Sequence, residues 1–98
     1  MQIVKNHKDV TLTVAIEGRL DSQTSPQLEA EIFGKLSGVA HLVFDLAKLE
    51  YISSSGLRIL LLTKKTMDKQ GDMTIKNMPP EVREIFDITG FSRVMRII

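Results

Sequence analysis

Between positions 10 and 17 hydrophobic residues alternate without a break. Val10, Leu12, Val14 and Ile16 fall on one side of the chain, and Thr11, Thr13, Ala15 and Glu17 on the other. Period two predicts a strand with one covered face and one wet or lightly covered face. Gln2–Lys5 reads as a shorter strand, and Asn6-His7-Lys8-Asp9 as the polar turn that joins the two into a hairpin. From Ser25-Pro26 the period changes to that of a helix. Leu28, Ile32, Phe33 and Leu36 keep helical spacing. Ser25 suits the N-cap, Pro26 the first helical position, and Ser37-Gly38 the stop.

The apolar run in His41–Leu46 is compact, and its length and flanks predict a strand buried on both faces. A second helix starts at Ser53–Ser55 with Gly56, runs to about Gln70 and ends at Gly71. Its inward side carries Leu57, Leu60, Leu61 and Thr63 or Met67; Arg58, Lys64, Lys65 and Lys69 point outward. Met73–Lys76 is a further strand. Pro79-Pro80 opens a third helix with Val82, Ile85 and Phe86 inward, and Gly90 terminates it. Val94–Ile98 fits either a last strand or a docked tail. The order β-β-α-β-α-β-α-β predicts an α/β fold, with a central sheet, parallel crossovers and helices packed on it.

A chain of 98 residues has room for one domain spanning 1–98. Thirteen Lys and Arg against twelve Asp and Glu leave a net charge of +1, and no basic block stands out. Nucleic acid is therefore not an expected partner. The absence of cysteine removes disulfides, Cys-ligated zinc and thiol chemistry. No apolar run approaches the ~20 residues of a membrane span, and the first residues do not read as a signal peptide. The expectation is a cytoplasmic domain with no membrane insertion.

Parallel pairing of strands 10–17 and 41–46 would place Gly18–Asp21, Asp45 and Tyr51–Gly56 on one rim. Open α/β sheets bind at that carboxyl edge. Ser55 as a catalytic nucleophile would need a base, normally histidine. His41 starts its strand, about 16 Å of extended chain from the edge, and His7 lies in the hairpin turn. Gly-x-Ser-x-Gly is absent. Asp21 with Asp45 is a weak pair for a divalent metal, and Asp21 reads better as a capping or loop-ordering residue. No cofactor is called for. Ser55 makes better sense as a substrate, since a helix N-terminus favours negative charge and a phosphoserine carries about −1.5 to −2. N-capping by Ser53 or Ser54 is the plainer role for this cluster.

Asp45-Leu46, Leu49 and Tyr51-Ile52-Ser53-Ser54-Ser55-Gly56-Leu57 together closely resemble the signature of STAS-domain anti-sigma factor antagonists. Glu17-Gly18-Arg19-Leu20-Asp21 is similar to the family's Gly-x-Leu-Asp loop, and Ile85–Phe91 to its closing Leu-Phe-x-x-x-Gly segment. The resemblance covers the whole chain. It implies a four- to five-stranded mixed sheet with three to four helices on one side. It also implies a non-enzymatic switch. The unphosphorylated protein sequesters an anti-sigma factor that is also a serine kinase of the histidine-kinase-type ATPase fold, and so frees a sigma factor. Phosphorylation at Ser55 ends the association, and a PP2C-type phosphatase restores it. Carried across residue by residue, the resemblance makes Ser55 the acceptor, Ser54 the serine beside it and Asp21 the partner-contacting aspartate of the first loop. Ser53, Gly56, Leu57 and Arg58 are expected at the same partner contact, with the exposed part of the helix from Leu57 to Lys65 as its remaining surface. Ser53 departs from the pattern, standing where sporulation-type members have Asp. The competing expectations are a STAS regulatory subunit of a membrane transporter and, further off, an enzyme using Asp21, Asp45 and the serines.

Overall fold

The computed structural model describes every residue from Met1 to Ile98. The hairpin forms from β1 (Gln2–Lys8) and β2 (Thr11–Leu20), antiparallel, with Lys8 opposite Thr11. The chain reverses at Asp9-Val10, where Asp9 takes a φ of 55°, a left-handed conformation that short polar side chains tolerate. The turn therefore falls later than the polar run predicts. Asn6–Lys8 belong to β1, and Val10 is lifted out of the strand with 48% of its surface exposed.

After α1 (Ser25–Ile32) come β3 (His41–Asp45), β4 (Leu49–Ile52), α2 (Ser54–Met67), β5 (Asp72–Lys76) and α3 (Pro80–Thr89). A short 3-10 turn, Phe91–Arg93, leads into the two-residue strand β6 (Arg96–Ile97), which settles the open reading of the C-terminal segment. The sheet order is β1-β2-β3-β5-β6, with β4 paired to the far end of β2. Only β1 runs antiparallel, so the fold is α/β with a mixed sheet, one strand larger than expected.

Register explains where the core lies. Leu12, Leu42 and Met73 stand side by side across β2, β3 and β5, and so do Val14, Phe44 and Ile75. All are buried, and with Leu28 and Ile32 of α1, Leu57, Ile59, Leu60 and Met67 of α2, and Val82 and Phe86 of α3 they belong to one cluster of 22 residues. Each fully buried side chain of this kind contributes about 1.5–3 kcal/mol. The helices thus cover one face only. On the other face His41 is exposed and Val43 and Asp45 are half-buried, which corrects the expectation that β3 is buried on both sides. No helix is long and apolar enough to cross a membrane.

The second helix is fixed at both ends. Ser53 is its N-cap and accepts from the Gly56 N–H at 3.5 Å. Helical residues stop at Met67, three short of the predicted end, and the Gln70 amide then donates to the Leu36 and Val39 carbonyls at 2.6 and 2.7 Å. Gly71 follows in a space with no room for a side chain: a Cβ there would lie 1.8 Å from the Ala40 carbonyl oxygen. On the helix faces, Ile59 is buried and Leu61 only half-buried, so the inward stripe is rotated from the one the periodicity suggests.

Candidate functional site

β2 outruns β3, and its last residues pair with β4 instead: Gly18 with Leu49, Arg19 with Tyr51 and Leu20 with Ile52. The register shifts between Gly18 and Arg19, a bulge eased by the positive φ of Gly18 (99°), whose N–H donates to the Lys48 carbonyl at 3.0 Å. The carboxyl ends of β2 and β4 therefore coincide. Ser53 donates its N–H to the Leu20 carbonyl at 2.9 Å, which joins the loop after β2 to the start of α2.

This strand also separates two groups that the sequence pattern puts on one rim. Asp45 is in register with Ala15, five positions before Leu20 and so about 16 Å back along β2. Its carboxylate accepts from the Ala47 N–H and the Asn77 amide. Asp21 and Asp45 are consequently not brought together, and no cluster of metal-ligating side chains forms.

Asp21 organises the loop between β2 and α1. One carboxylate oxygen accepts from the N–H groups of Gln23 and Thr24 at 3.0 and 3.1 Å. In return, the Asp21 N–H donates to the Thr24 hydroxyl oxygen at 2.9 Å. The Thr24 N–H bond is the chief reason the carboxyl is held below the usual aspartate range, partly opposed by desolvation and assisted by Gln23, the Thr24 hydroxyl and Arg19. The helix accordingly starts with Thr24 at the N-cap, whereas the Pro26 pattern favours Ser25. Ser25 is instead buried, its hydroxyl donating to the Asp21 carbonyl. Arg19 reaches from β2 to within 3.8 Å of Asp21 and lies over the Tyr51 ring of β4.

The serines occupy the cap and the first two positions of α2. Ser54 is exposed; Ser53 and Ser55 are half-buried. Ser55 opens on a cleft of about 440 Å³ between α1 and α2, together with Ser22, Glu29, Phe33 and Arg58. Gly56 is buried, packed so closely that a Cβ there would meet Leu20 and Ile52 at 2.7 and 2.9 Å. Leu57 points into the core with 2% of its surface exposed, so among the expected contact residues it anchors the helix beneath the rim and offers no surface for contact. Arg58 is exposed.

No histidine approaches Ser55. His41 lies at the opposite ends of the strands, in register with Thr11, and binds Asp72 at 3.0 Å; His7 is exposed on β1, opposite Leu12. The rim thus presents a hydroxyl without a base, next to a helix N-terminus and an ordered carboxylate. Such an arrangement can be modified or bound, and nothing in it activates a nucleophile. Two parts of it are invisible in the sequence. The Arg19–Tyr51 stack depends on the β2–β4 pairing, and the cleft depends on how α1 crosses α2.

The sequence model of the STAS domain matches residues 2–98. A Bordetella bronchiseptica protein, provisionally named anti-sigma factor antagonist BtrV, is 35% identical over 99% of this chain and 85% of its own length. The anti-sigma F factor antagonist of Paenibacillus polymyxa is 29% identical over 99% of this chain and 86% of its own. Among solved structures, an anti-sigma factor antagonist from Mycobacterium paratuberculosis superposes with a TM-score of 0.88 at 26% identity, covering 98% of this chain and 83% of that one. The unphosphorylated form of the anti-sigma factor antagonist SpoIIAA shares the fold, with a TM-score of 0.85 at 21% identity over 99% of this chain and 88% of that one.

Proposed function

The chain belongs to the STAS domain family, and we propose that it is an anti-sigma factor antagonist whose binding is gated by phosphorylation of Ser55. In its unmodified form it holds an anti-sigma factor, itself a serine kinase of the histidine-kinase-type ATPase fold, and so releases a sigma factor in the cytoplasm. Phosphate on Ser55 ends that association, and a PP2C-type phosphatase removes it. The protein acts by binding and carries out no chemistry of its own.

The observation that carries this reading is the setting of Ser55. The residue is half-buried yet opens on a cleft, at the second position of α2 and beside the Asp21 loop. A dianion there sits where the helix dipole and free N–H groups favour it, so the fold tolerates the modification. A partner fitted to a neutral rim meets like charge or a desolvated phosphate instead, at a cost of several kcal/mol. Each ~1.4 kcal/mol is tenfold in affinity, enough for a switch. The names of the relatives support the class of partner, and SpoIIAA has been solved in a phosphorylated form as well. Asp21, Ser53, Ser54 and Arg58 supply the contact around Ser55, over the floor made by Gly56 and Leu57.

The test is to incubate the protein with ATP and an anti-sigma factor serine kinase from the same genome, then locate the phosphate by mass spectrometry. Label is expected on Ser55 alone. Label on Ser53 or Ser54 would overturn the site. Ser55→Ala should bind the kinase and take no label, and Ser55→Asp should lose binding with an almost unchanged melting temperature. Unfolding of Ser55→Asp would mean that the hydroxyl is structural.

A further inference from the structure

The cleft at Ser55 does not end at Leu62. A second cleft, of about 520 Å³, continues between the end of α1 and the C-terminal half of α2, and Phe33 and Leu62 line both. The two form one groove from Ser55 to Gln70, about 18 Å along α2 from Ser55 to Met67 at 1.5 Å per residue and then the three-residue turn beyond it. At its middle stand two of the molecule's exposed large apolar side chains, Phe33 at 42% and Leu62 at 36% exposure.

The wall supplied by α2 is basic. Arg58, Lys65 and Lys69 are spaced seven and four residues apart, so with Leu62 they share one stripe of the helix. None of the three cations takes part in an ion pair; Lys64, off this stripe, is bound to Asp68. Residues 54–70 hold four cations and one anion in a chain whose balance is only +1, so the charge is concentrated here. Glu29, near Ser55, is the one acidic residue lining the groove.

We propose that this groove receives an acidic amphipathic helix of a partner protein. A trough between two helices, apolar at its centre and cationic along one side, matches the helix-in-groove mode of recognition. Its length suits about four turns. Apolar residues of the ligand would cover Phe33 and Leu62, and its carboxylates would face Arg58, Lys65 and Lys69. The apolar centre favours a protein over a nucleic acid or a lipid headgroup, which would engage the cations alone. The groove by itself supports this binding mode. Its link to the switch rests on the function proposed above: Ser55 is at one end, so phosphate there would face an already acidic ligand.

A fluorescent synthetic peptide of about 18 residues serves as the probe, with Leu and Phe along one helical face and Glu on the other. Its controls are the same peptide with Gln for Glu and one with Lys for Glu. The acidic peptide should bind, with amide shifts confined to α1 and α2. Binding should weaken about tenfold or more in Lys65→Glu/Lys69→Glu and separately in Leu62→Asp, both of which alter exposed positions, while Lys8→Glu leaves it unchanged. Failure to bind, shifts elsewhere on the molecule, or equal binding of the Lys peptide would overturn the groove. Binding of a single-stranded oligonucleotide or of anionic vesicles with the same loss in the charge variant and none in Leu62→Asp would also overturn it. Unchanged peptide binding by Ser55→Glu would overturn only the link to phosphorylation, leaving the groove intact.

Discussion

The guanidinium carbon of Arg19 lies 4.4 Å from the centre of the Tyr51 ring, tying the end of β2 to β4 at the edge of the rim. Both side chains are partly exposed, at 59% and 36%. A cation over an aromatic face at such a site contributes about 0.5–1 kcal/mol. A double-mutant cycle with Arg19→Ala and Tyr51→Ala, read by chemical denaturation, should give a coupling of about 0.5 kcal/mol. A coupling of zero would mean that the two side chains merely lie side by side.

Gly56→Ala sets two effects against each other. Replacing glycine in a helix gains at most about 0.8–1.0 kcal/mol of propensity. The new Cβ, however, would lie 2.7 Å from Leu20 and 2.9 Å from Ile52, both fully buried, so a packed core side chain must shift to admit it. Overpacking of this kind costs about 1–3 kcal/mol. The net result should be destabilisation by about 1 kcal/mol or more, seen as a melting temperature lower by about 4–8 °C per kcal/mol.

Ser53 caps α2 through its side-chain oxygen. Its capping bond to the Gly56 N–H is long, 3.5 Å. Ser53→Ala should therefore cost only about 0.5 kcal/mol, the low end of the capping range. Ser53→Asp keeps an acceptor and adds a negative charge at the helix N-terminus, so the unmodified protein should gain about 0.3–1 kcal/mol. Phosphate on Ser55 would then have a charged neighbour, and the gain should shrink in the phosphorylated protein. Thermal melts of both forms check this.

Asp21 predicts a pH dependence. Its folded carboxyl titrates below the ordinary aspartate value, chiefly because it accepts the Thr24 N–H. The unfolded chain thus binds the proton more readily than the folded one, and acid favours unfolding. The contribution is fully present above about pH 4 and is lost as pH falls through the folded value. Glu31, held low by Lys5, and Asp87, held low by Ser92 and Arg83, act in the same direction. The difference in melting temperature between wild type and Asp21→Ala should accordingly be largest near neutrality and shrink below about pH 4. A difference constant down to about pH 2 would place the effect of Asp21→Ala outside its charge.

The sequence is most legible where one period dominates. β2 shows in Leu12, Val14 and Ile16, α1 in Leu28 and Ile32, and the stop at Gly90 in a φ of 81° that glycine accommodates. It is least legible at β4. Leu49 and Ile52 are buried, with Glu50 and Tyr51 exposed between them, so these four residues show no alternation. The strand exists because it pairs with β2 beyond a bulge, a tertiary fact that periodicity cannot carry. Missing it also misplaces Asp45, since without β4 the ends of β2 and β3 would coincide. Leu62 is hard to read for a similar reason. Amid Ile59-Leu60-Leu61-Leu62 no single residue declares itself outward, and only the crossing of α1 leaves Leu62 beside Phe33 in an open groove. The serine motif, by contrast, is contiguous, which is why the rim is recognisable from the order of residues alone.

The amide of Gln70 and the tight seat of Gly71 hold the distal end of α2 against the turn before β3. With that end held, a group added at the opposite tip is expected to leave the helix in place. Two forms of the protein would then display different chemistry on one unmoved backbone, and a partner would tell them apart by charge and not by shape. The tempo of such a device would belong wholly to the enzymes that write and erase the mark, with no slow relaxation of the chain to follow.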